Sequence, residues 1–186
     1  MKRVLVPLAE GFEELEAVTI IDMLRRAGIE VVVAALAGNP VTGSHGIVLS
    51  ADAAFDDVSG QEFDLIALPG GMPGASNLRD DPRIGAIIRR LHDGGRHVAA
   101  ICAAPMALAA AGVLKGRRAT SYPGFLDRAA DLTLVDEPVV VDGRVITSRG
   151  PGTALDFALE LVAQLQGPAA RQQVESRLQR GGALRS

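Results

Sequence analysis

The alternation of short apolar runs with longer helical stretches restricts the fold of this chain more than any other feature. Apolar runs rich in β-branched residues cover residues 2–8, 30–36, 63–68 and 97–101. Segments with helical periodicity lie between or after these runs, at residues 13–27, 82–92 and 105–113. Such an alternation predicts an α/β fold with a mostly parallel sheet and helices on both faces. The nearly continuous apolar character of the runs agrees, because parallel strands are buried on both sides.

The rest of the chain has other patterns. A short strand is predicted at residues 47–49. Two β-branched runs near residues 137–148 are separated by Asp142-Gly143, which predicts a β-hairpin with a type I′ turn. A helix is predicted over residues 153–166, and residues 169–180 form a further short helix or a loose tail. We expect one domain over residues 1–180 and a flexible tail over residues 181–186, which is short, terminal and glycine-rich.

Composition excludes several classes of protein. The net charge of the 186 residues is -3 and only 3% are aromatic, so neither a basic surface nor stacking platforms for nucleic acid are expected. No apolar run has the length of a membrane span, and acidic residues interrupt the N-terminal segment before a signal sequence develops. We therefore expect a soluble, cytoplasmic protein with no membrane partner.

Cys102 is the only cysteine, and it lies where a buried strand ends and a helix begins. The carboxyl edge of a parallel sheet presents reactive groups, and a sharp turn there can lift a side chain clear of the backbone. The amides and dipole of the next helix favour a thiolate, so a lowered pKa is predicted for Cys102. The alternative is a structural cysteine. A single cysteine forms neither a disulfide nor a thiolate zinc site, and no metal or cofactor is predicted.

A glycine-rich segment that begins at Pro69 follows another buried strand, so it should converge on the same sheet edge. Gly70 is a candidate pocket residue. An amide of this segment could form one half of an oxyanion hole, and the amide of Ala103 could form the other half. The alternative is a tight loop that binds nothing.

Several carboxylates follow the first strand. Glu13 and Glu14 suit the dipole at the start of a helix, which explains them without a function. Glu16 lies one turn deeper among apolar neighbours, so it is the better candidate for a raised pKa. Once protonated, it could donate a hydrogen bond to the sulfur.

The three histidines do not provide an obvious base for the cysteine. His97 precedes Cys102 by five residues of extended strand, about 16 Å, so the two cannot pair. His92 complements the dipole at the end of its helix. His45 lies in a glycine-flanked loop and is a candidate pocket residue.

Five segments, taken together, resemble the ThiJ/PfpI superfamily and its DJ-one-like branch: AEGFEELEAV, RRAGIEVVVAALAG, LPGGMPGASNL, AAICAAPMALA and ITSRGPGTALDFAL. They occur in the order typical of that superfamily and cover about residues 2–166. The resemblance implies a flavodoxin-like three-layer sandwich and a homodimer. We expect the first helix, around Leu15, Val18 and Thr19, to contribute to the dimer contact.

The resemblance also implies roles for particular residues. Cys102 matches the reactive cysteine, and Glu16 matches the protonated carboxyl that hydrogen-bonds the sulfur. Gly71 and Ala103 match the residues whose amides face that sulfur. Tyr122 stands where this branch often has a histidine. With a pKa of about 10, a tyrosine is a poor base near neutral pH, so we expect Tyr122 to orient the substrate.

The resemblance implies a cysteine-dependent stress-response protein that acts on small α-oxoaldehydes such as methylglyoxal or glyoxal. It would be a glutathione-independent glyoxalase or a deglycase. The alternative is a non-enzymatic peroxide sensor or redox-regulated chaperone whose Cys102 is oxidised to a sulfinate. Peptidase activity is not expected, because Ala103 follows the cysteine where the protease-type members have a histidine.

Overall fold

The computed structural model describes residues 1–180, and its central feature is a seven-stranded sheet. The sheet strands are β1 (Arg3–Leu8), β2 (Glu30–Ala35), β5 (Ala53–Ala54), β6 (Leu65–Leu68), β7 (His97–Ile101), β10 (Val139–Asp142) and β11 (Val145–Ser148). Their order across the sheet is β10-β11-β7-β6-β1-β2-β5. All neighbours are parallel except β10 and β11. Two small ladders lie outside this sheet: β3 (Val41–Thr42) with β4 (Val48–Leu49), and β8 (Arg118–Ala119) with β9 (Thr133–Leu134).

The helices form the outer layers. They are α1 (Glu14–Arg26), α2 (Phe55–Val58), α3 (Gly74–Asp80), α4 (Pro82–Asp93), α5 (Pro105–Ala110), α6 (Ala154–Gln166) and α7 (Pro168–Ser176). Helix α1 packs against α6, and α6 packs against α7, whereas α3, α4 and α5 pack against one another. The central strands are fully buried between these layers, which explains their uninterrupted apolar sequence.

The predicted flavodoxin-like fold is confirmed, and so is the hairpin near residues 137–148. The predicted type I′ turn at Asp142-Gly143 is wrong. Asp142 pairs with Val145, so the two turn residues are Gly143 and Arg144. Gly143 has a φ of 61°, whereas Arg144 is not among the residues with positive φ, which is typical of a type II′ turn with glycine first.

Other differences concern the lengths of elements. The helix predicted over residues 105–113 ends at Ala110, and Gly112 follows with a φ of 83°. The strand predicted at residues 47–49 is β4, which lies outside the main sheet. Residues 169–180 contain a helix, α7, that ends at Ser176. The tail predicted at residues 181–186 lies outside the described residues, and the single-domain assignment stays a prediction.

Candidate active site

Cys102 occupies a sharp turn immediately after β7. Its φ is 64°, in the left-handed region that non-glycine residues rarely adopt. Two hydrogen bonds hold this conformation: the Cys102 amide donates to the Ser148 carbonyl at 3.0 Å, and its carbonyl accepts from the Tyr122 amide at 2.8 Å. The cysteine is therefore braced between the end of β11 and the segment after β8, and the predicted sharp turn between strand and helix is present.

Two backbone amides surround the sulfur. The N–H groups of Gly71 and Ala103 act on the Cys102 side chain, where they lower the pKa of its thiol. Gly71 follows β6 and has a φ of 86°, so the loop after this neighbouring strand turns its amide toward the sulfur. The loops after β6 and β7 thus meet as the sheet topology predicts, although their use as an oxyanion site stays a prediction.

Gly70 lies directly against the cysteine and Glu16. A Cβ atom at position 70 would stand 2.6 Å from the Cys102 Cβ, 3.1 Å from its Sγ and 2.7 Å from Glu16 Oε2. Each distance is shorter than ordinary van der Waals contact. Only glycine therefore allows the cysteine and the carboxyl to approach each other across this loop.

Glu16 is fully buried and points from α1 toward the same loop. Its Oε2 accepts a hydrogen bond from the Gly70 amide at 2.8 Å, and its carboxyl lies within hydrogen-bonding reach of Cys102. Within residues 1–180, no nitrogen or oxygen atom hydrogen-bonds its Oε1. Burial is the main cause that raises the pKa of Glu16 to about 7, and the Glu13 carboxylate adds to it. At neutral pH, this carboxyl can therefore accept or donate a proton.

The pKa of Cys102 differs from the sequence prediction. Burial, followed by the negative charge of Glu16, raises the pKa of the Cys102 thiol to about 12, and the two amides offset this only in part. The predicted lowering of the pKa is therefore wrong, because burial and the carboxylate outweigh the amides. Protonation of Glu16 removes its charge and converts the carboxyl into a donor for the sulfur. The two side chains thus form a coupled pair.

A second cluster of titratable groups surrounds the start of α1. Glu14 is buried and accepts hydrogen bonds from the amides of His45 and Ile47 at 2.7 and 3.2 Å. Burial raises the pKa of Glu14, but hydrogen bonds from its own amide, from the His45 side chain and amide, and from the Ile47 amide outweigh it and bring the pKa to about 2. Glu14 therefore holds the loop between β3 and β4 against α1.

His45 lies in that loop. Within residues 1–180, no hydrogen bond or ion pair joins it to the Cys102 sulfur. Its Nδ1 is 3.0 Å from Glu14 Oε2 and 3.7 Å from Glu13 Oε1. Potential ligand atoms of these three side chains lie within 4.8 Å of one another, so they could hold a metal ion. The expectation of no metal and no cofactor stays a prediction.

Tyr122 is 49% exposed and is linked to Cys102 through its backbone amide. Its ring packs edge-on against Phe125, with centroids 6.2 Å apart, and a Cβ atom at position 150 would stand 3.3 Å from the ring atom Cδ2. Its predicted role in orienting a substrate stays a prediction. The backbone contact between residues 122 and 102 left no signal in the sequence, since it depends on how the segment after β8 folds back.

The other two histidines lie away from the cysteine. His97 is the first residue of β7 and contacts Arg144, with 3.1 Å between Nε2 and Nη1. His92 contacts Asp93 and Arg117 near the end of α4. Neither has a contact with Cys102, as the sequence spacing predicted for His97.

The parallel sheet and this coupled cysteine–carboxyl pair define a flavodoxin-like α/β protein with a buried thiol at a strand-to-helix turn. A family model described as the DJ-1/PfpI family matches residues 2–164. The chain belongs to this family, in agreement with the resemblance of the five sequence segments. No helix within residues 1–180 has the length and apolar character needed to cross a membrane.

Individual relatives agree with this assignment. The chain is 43% identical over 182 residues to the Parkinson disease protein 7 homolog of Danio rerio, which covers 95% of the chain and 96% of the relative. It is 39% identical over 166 residues to a protein of Pyrococcus abyssi named a deglycase, and this match covers 88% of the chain and 99% of the relative. The match to Protein DJ-1 homolog A of Arabidopsis thaliana is 42% identical over 179 residues and covers 94% of the chain, but the chain spans only 46% of that relative.

Solved structures show the same fold. The crystal structure of Drosophila melanogaster DJ-1beta has a TM-score of 0.92 and 42% sequence identity, and the match covers 95% of this chain and 97% of that one.

Proposed function

We propose that this protein is a cysteine-dependent enzyme that acts on small α-oxoaldehydes such as methylglyoxal or glyoxal, as a glutathione-independent glyoxalase or a deglycase. The observation that carries the proposal is the buried Glu16 carboxyl, which lies beside Cys102 with a pKa of about 7. A proton acceptor with a pKa near the working pH is suited to acid–base catalysis. The name of the Pyrococcus abyssi relative supports a reaction of this class.

The proposed reaction begins when the ionised Glu16 carboxylate accepts the Cys102 thiol proton. The sulfur adds to the aldehyde carbon, and the amides of Gly71 and Ala103 stabilise the alkoxide that forms. Protonation of the alkoxide gives a hemithioacetal. Glu16 then moves the proton on the former aldehyde carbon to the adjacent carbon, and the hydroxyl proton of the hemithioacetal passes to the ketone oxygen. The ketone thus becomes a hydroxyl, and the former aldehyde carbon becomes the carbonyl carbon of a thioester. Water hydrolyses the thioester, so methylglyoxal and water become lactate and the thiol is restored.

A second candidate is a peroxide sensor that uses the same sulfur. One observation favours it: Glu16 Oε1 is buried and has no nitrogen or oxygen partner within residues 1–180. In its protonated form, this oxygen could donate to an oxygen added to Cys102. Two equivalents of peroxide would convert the thiol to a sulfinate and release water. A redox-regulated chaperone would depend on the same oxidation.

We also propose that the protein is a homodimer. Leu15 and Val18 on α1 are 52% and 45% exposed. Ile47, in the adjacent loop, and Val48, the first residue of β4, are 55% and 54% exposed. A cluster of exposed apolar side chains is typical of an interface between protein chains. Sedimentation of a Leu15→Glu and Val18→Glu double variant as a monomer, beside a dimeric wild type, would support this. A monomeric wild type at micromolar concentration would contradict it. The cytoplasmic location stays a prediction.

The decisive experiment is lactate production from methylglyoxal without glutathione, with wild type, Cys102→Ser and Glu16→Gln compared. An enzyme loses turnover in both variants while each still folds. Wild type that produces no lactate, but gains two oxygen atoms on Cys102 by intact mass in mild peroxide, would favour the sensor. Tyr122→Phe tests the positioning role separately, since loss of only the hydroxyl should raise KM more than it lowers kcat.

A further inference from the structure

Three side chains with metal-binding atoms meet where the loop between β3 and β4 crosses the start of α1. They are Glu13 and Glu14 at the start of the helix and His45 in the loop, and their potential ligand atoms all lie within 4.8 Å of one another. His45 Nδ1 is 3.0 Å from Glu14 Oε2 and 3.7 Å from Glu13 Oε1. Among residues 1–180, no other set of three histidine, cysteine or carboxylate side chains is grouped this closely.

Backbone amides hold the remaining oxygen of each carboxylate. Glu13 Oε2 accepts from the Glu16 amide at 3.2 Å. Glu14 Oε1 accepts from the amides of His45 and Ile47 at 2.7 and 3.2 Å. Each carboxylate is thus fixed through one oxygen and presents its other oxygen to the imidazole. Outer hydrogen bonds of this kind orient the ligands of metal sites.

A single hydrogen bond does not satisfy the three atoms that face one another. His45 Nδ1 carries at most one proton, and Glu14 Oε2 is close enough to accept it, whereas 3.7 Å to Glu13 Oε1 is too long for a hydrogen bond. Ser44 Oγ lies beside the group, 3.3 Å from Glu14 Oε2 and 3.1 Å from His45 Nδ1. Two carboxylate oxygens therefore converge on one nitrogen that can serve only one of them. A divalent cation serves all three atoms at once.

We propose that His45, Glu13 and Glu14 form a binding site for a divalent metal ion with the ligand preferences of Zn²⁺. Imidazole nitrogen and carboxylate oxygen bind Zn²⁺ with bonds of about 2.0–2.2 Å, so two ligands of a tetrahedral ion stand about 3.3 Å apart. The two distances from His45 Nδ1, 3.0 and 3.7 Å, lie on either side of that value. Mg²⁺ and Ca²⁺ prefer oxygen ligands, so the imidazole favours Zn²⁺ over them.

The site is open on the side of the histidine. The His45 side chain is 70% exposed, whereas those of Glu13 and Glu14 are 13% and 5% exposed. An ion can therefore enter from solvent, and water can complete its coordination. Once bound, the ion joins the loop between β3 and β4 to α1. The proposal does not depend on the reaction at Cys102, and it is the alternative to the absence of a metal predicted from the sequence.

Calorimetric titration of the untagged full chain with ZnCl₂ tests the proposal. We expect one ion per chain in wild type and also in Cys102→Ser, a variant that excludes binding through the thiol. His45→Gln removes the nitrogen ligand and should weaken Zn²⁺ binding at least about tenfold, since even an outer-shell partner contributes about 10- to 100-fold. His92→Gln is the matched control and should bind as wild type does, because His92 contacts one carboxylate, that of Asp93.

A second variant keeps the proposal open to refutation if His45→Gln fails to fold. His45→Arg keeps a positive charge beside the two carboxylates but has no lone pair for a metal, so it should fold and still lose Zn²⁺ binding. Wild type without saturable binding at micromolar Zn²⁺, unchanged binding in His45→Arg, or loss of binding in Cys102→Ser would each overturn the proposal. Ca²⁺ bound as tightly as Zn²⁺ would also overturn it, because the carboxylates alone would then explain the binding.

Discussion

Replacing Glu16 with glutamine should change how the stability of the protein depends on pH. The folded protein raises the pKa of Glu16 from 4.5 to about 7, mainly because the carboxyl is buried. The folded state then binds a proton more tightly than the unfolded state. Stability from this group is fully present below the unfolded pKa and is lost as the pH rises through about 7.

The size of the effect follows from the shift itself. A difference of about 2.5 pH units corresponds to about 3 kcal/mol, and the full burial of Glu16 means that solvent screening does not reduce it much. Glutamine occupies nearly the same volume and does not ionise. Relative to wild type, the Glu16→Gln variant should therefore gain about 3 kcal/mol between about pH 4 and about pH 8.

Urea unfolding of both proteins across that range measures the difference. Glu62→Gln is a suitable control, because Glu62 is exposed and its replacement should leave the pH dependence unchanged. A constant free-energy difference between wild type and Glu16→Gln over the whole range would refute the reasoning. It would mean that Glu16 has the same pKa in the folded and unfolded protein and that its burial is offset by contacts other than those described.

Three other substitutions test separate parts of the structure. Gly70→Ala places a Cβ atom 2.6 Å from that of Cys102, so the free energy of unfolding in urea should fall by about 1–3 kcal/mol. Iodoacetamide should also alkylate the displaced cysteine at a different rate. Gly60→Ala is the control and should cause neither change, because nothing lies within 4 Å of a Cβ atom at that position. Glu14→Gln should destabilise the protein at neutral pH by about 1–3 kcal/mol, and acid titration should show this difference disappear as the pH falls through about 2, since the pKa of Glu14 is lowered. Asp81→Ala removes the side-chain cap of α4 and should cost about 1 kcal/mol in thermal unfolding, whereas Asp81→Asn should cost less.

Much of the fold could be predicted from local patterns. Each central strand is apolar throughout because both faces are covered, and Gly28, with a φ of 72°, follows α1 as a glycine stop does. The helix α3 was missed because Pro73 and Gly74 stand at its start, within a segment typical of a loop. Its formation depends on packing against α5, which no local pattern records.

The residues that lie together in the candidate site could be predicted better than the pKa shifts that they cause. The order of strands and helices brings the segments after β1, β6 and β7 to one edge, so Glu16, Gly70 and Cys102 could be grouped from sequence. The direction of the Cys102 pKa shift could not, because it depends on how deeply the sulfur is buried and on the distance to one carboxylate. Glu14 was assigned only to the helix dipole, since its partners lie about thirty residues away in the chain.

The first two turns of α1 face three different neighbours. Glu14 holds the loop between β3 and β4, Glu16 reaches the cysteine, and Leu15 and Val18 are exposed on the outer surface. One inserted or deleted residue within the helix would rotate every later side chain by about 100° relative to the earlier ones. Length changes in this stretch should therefore be tolerated far less than single substitutions.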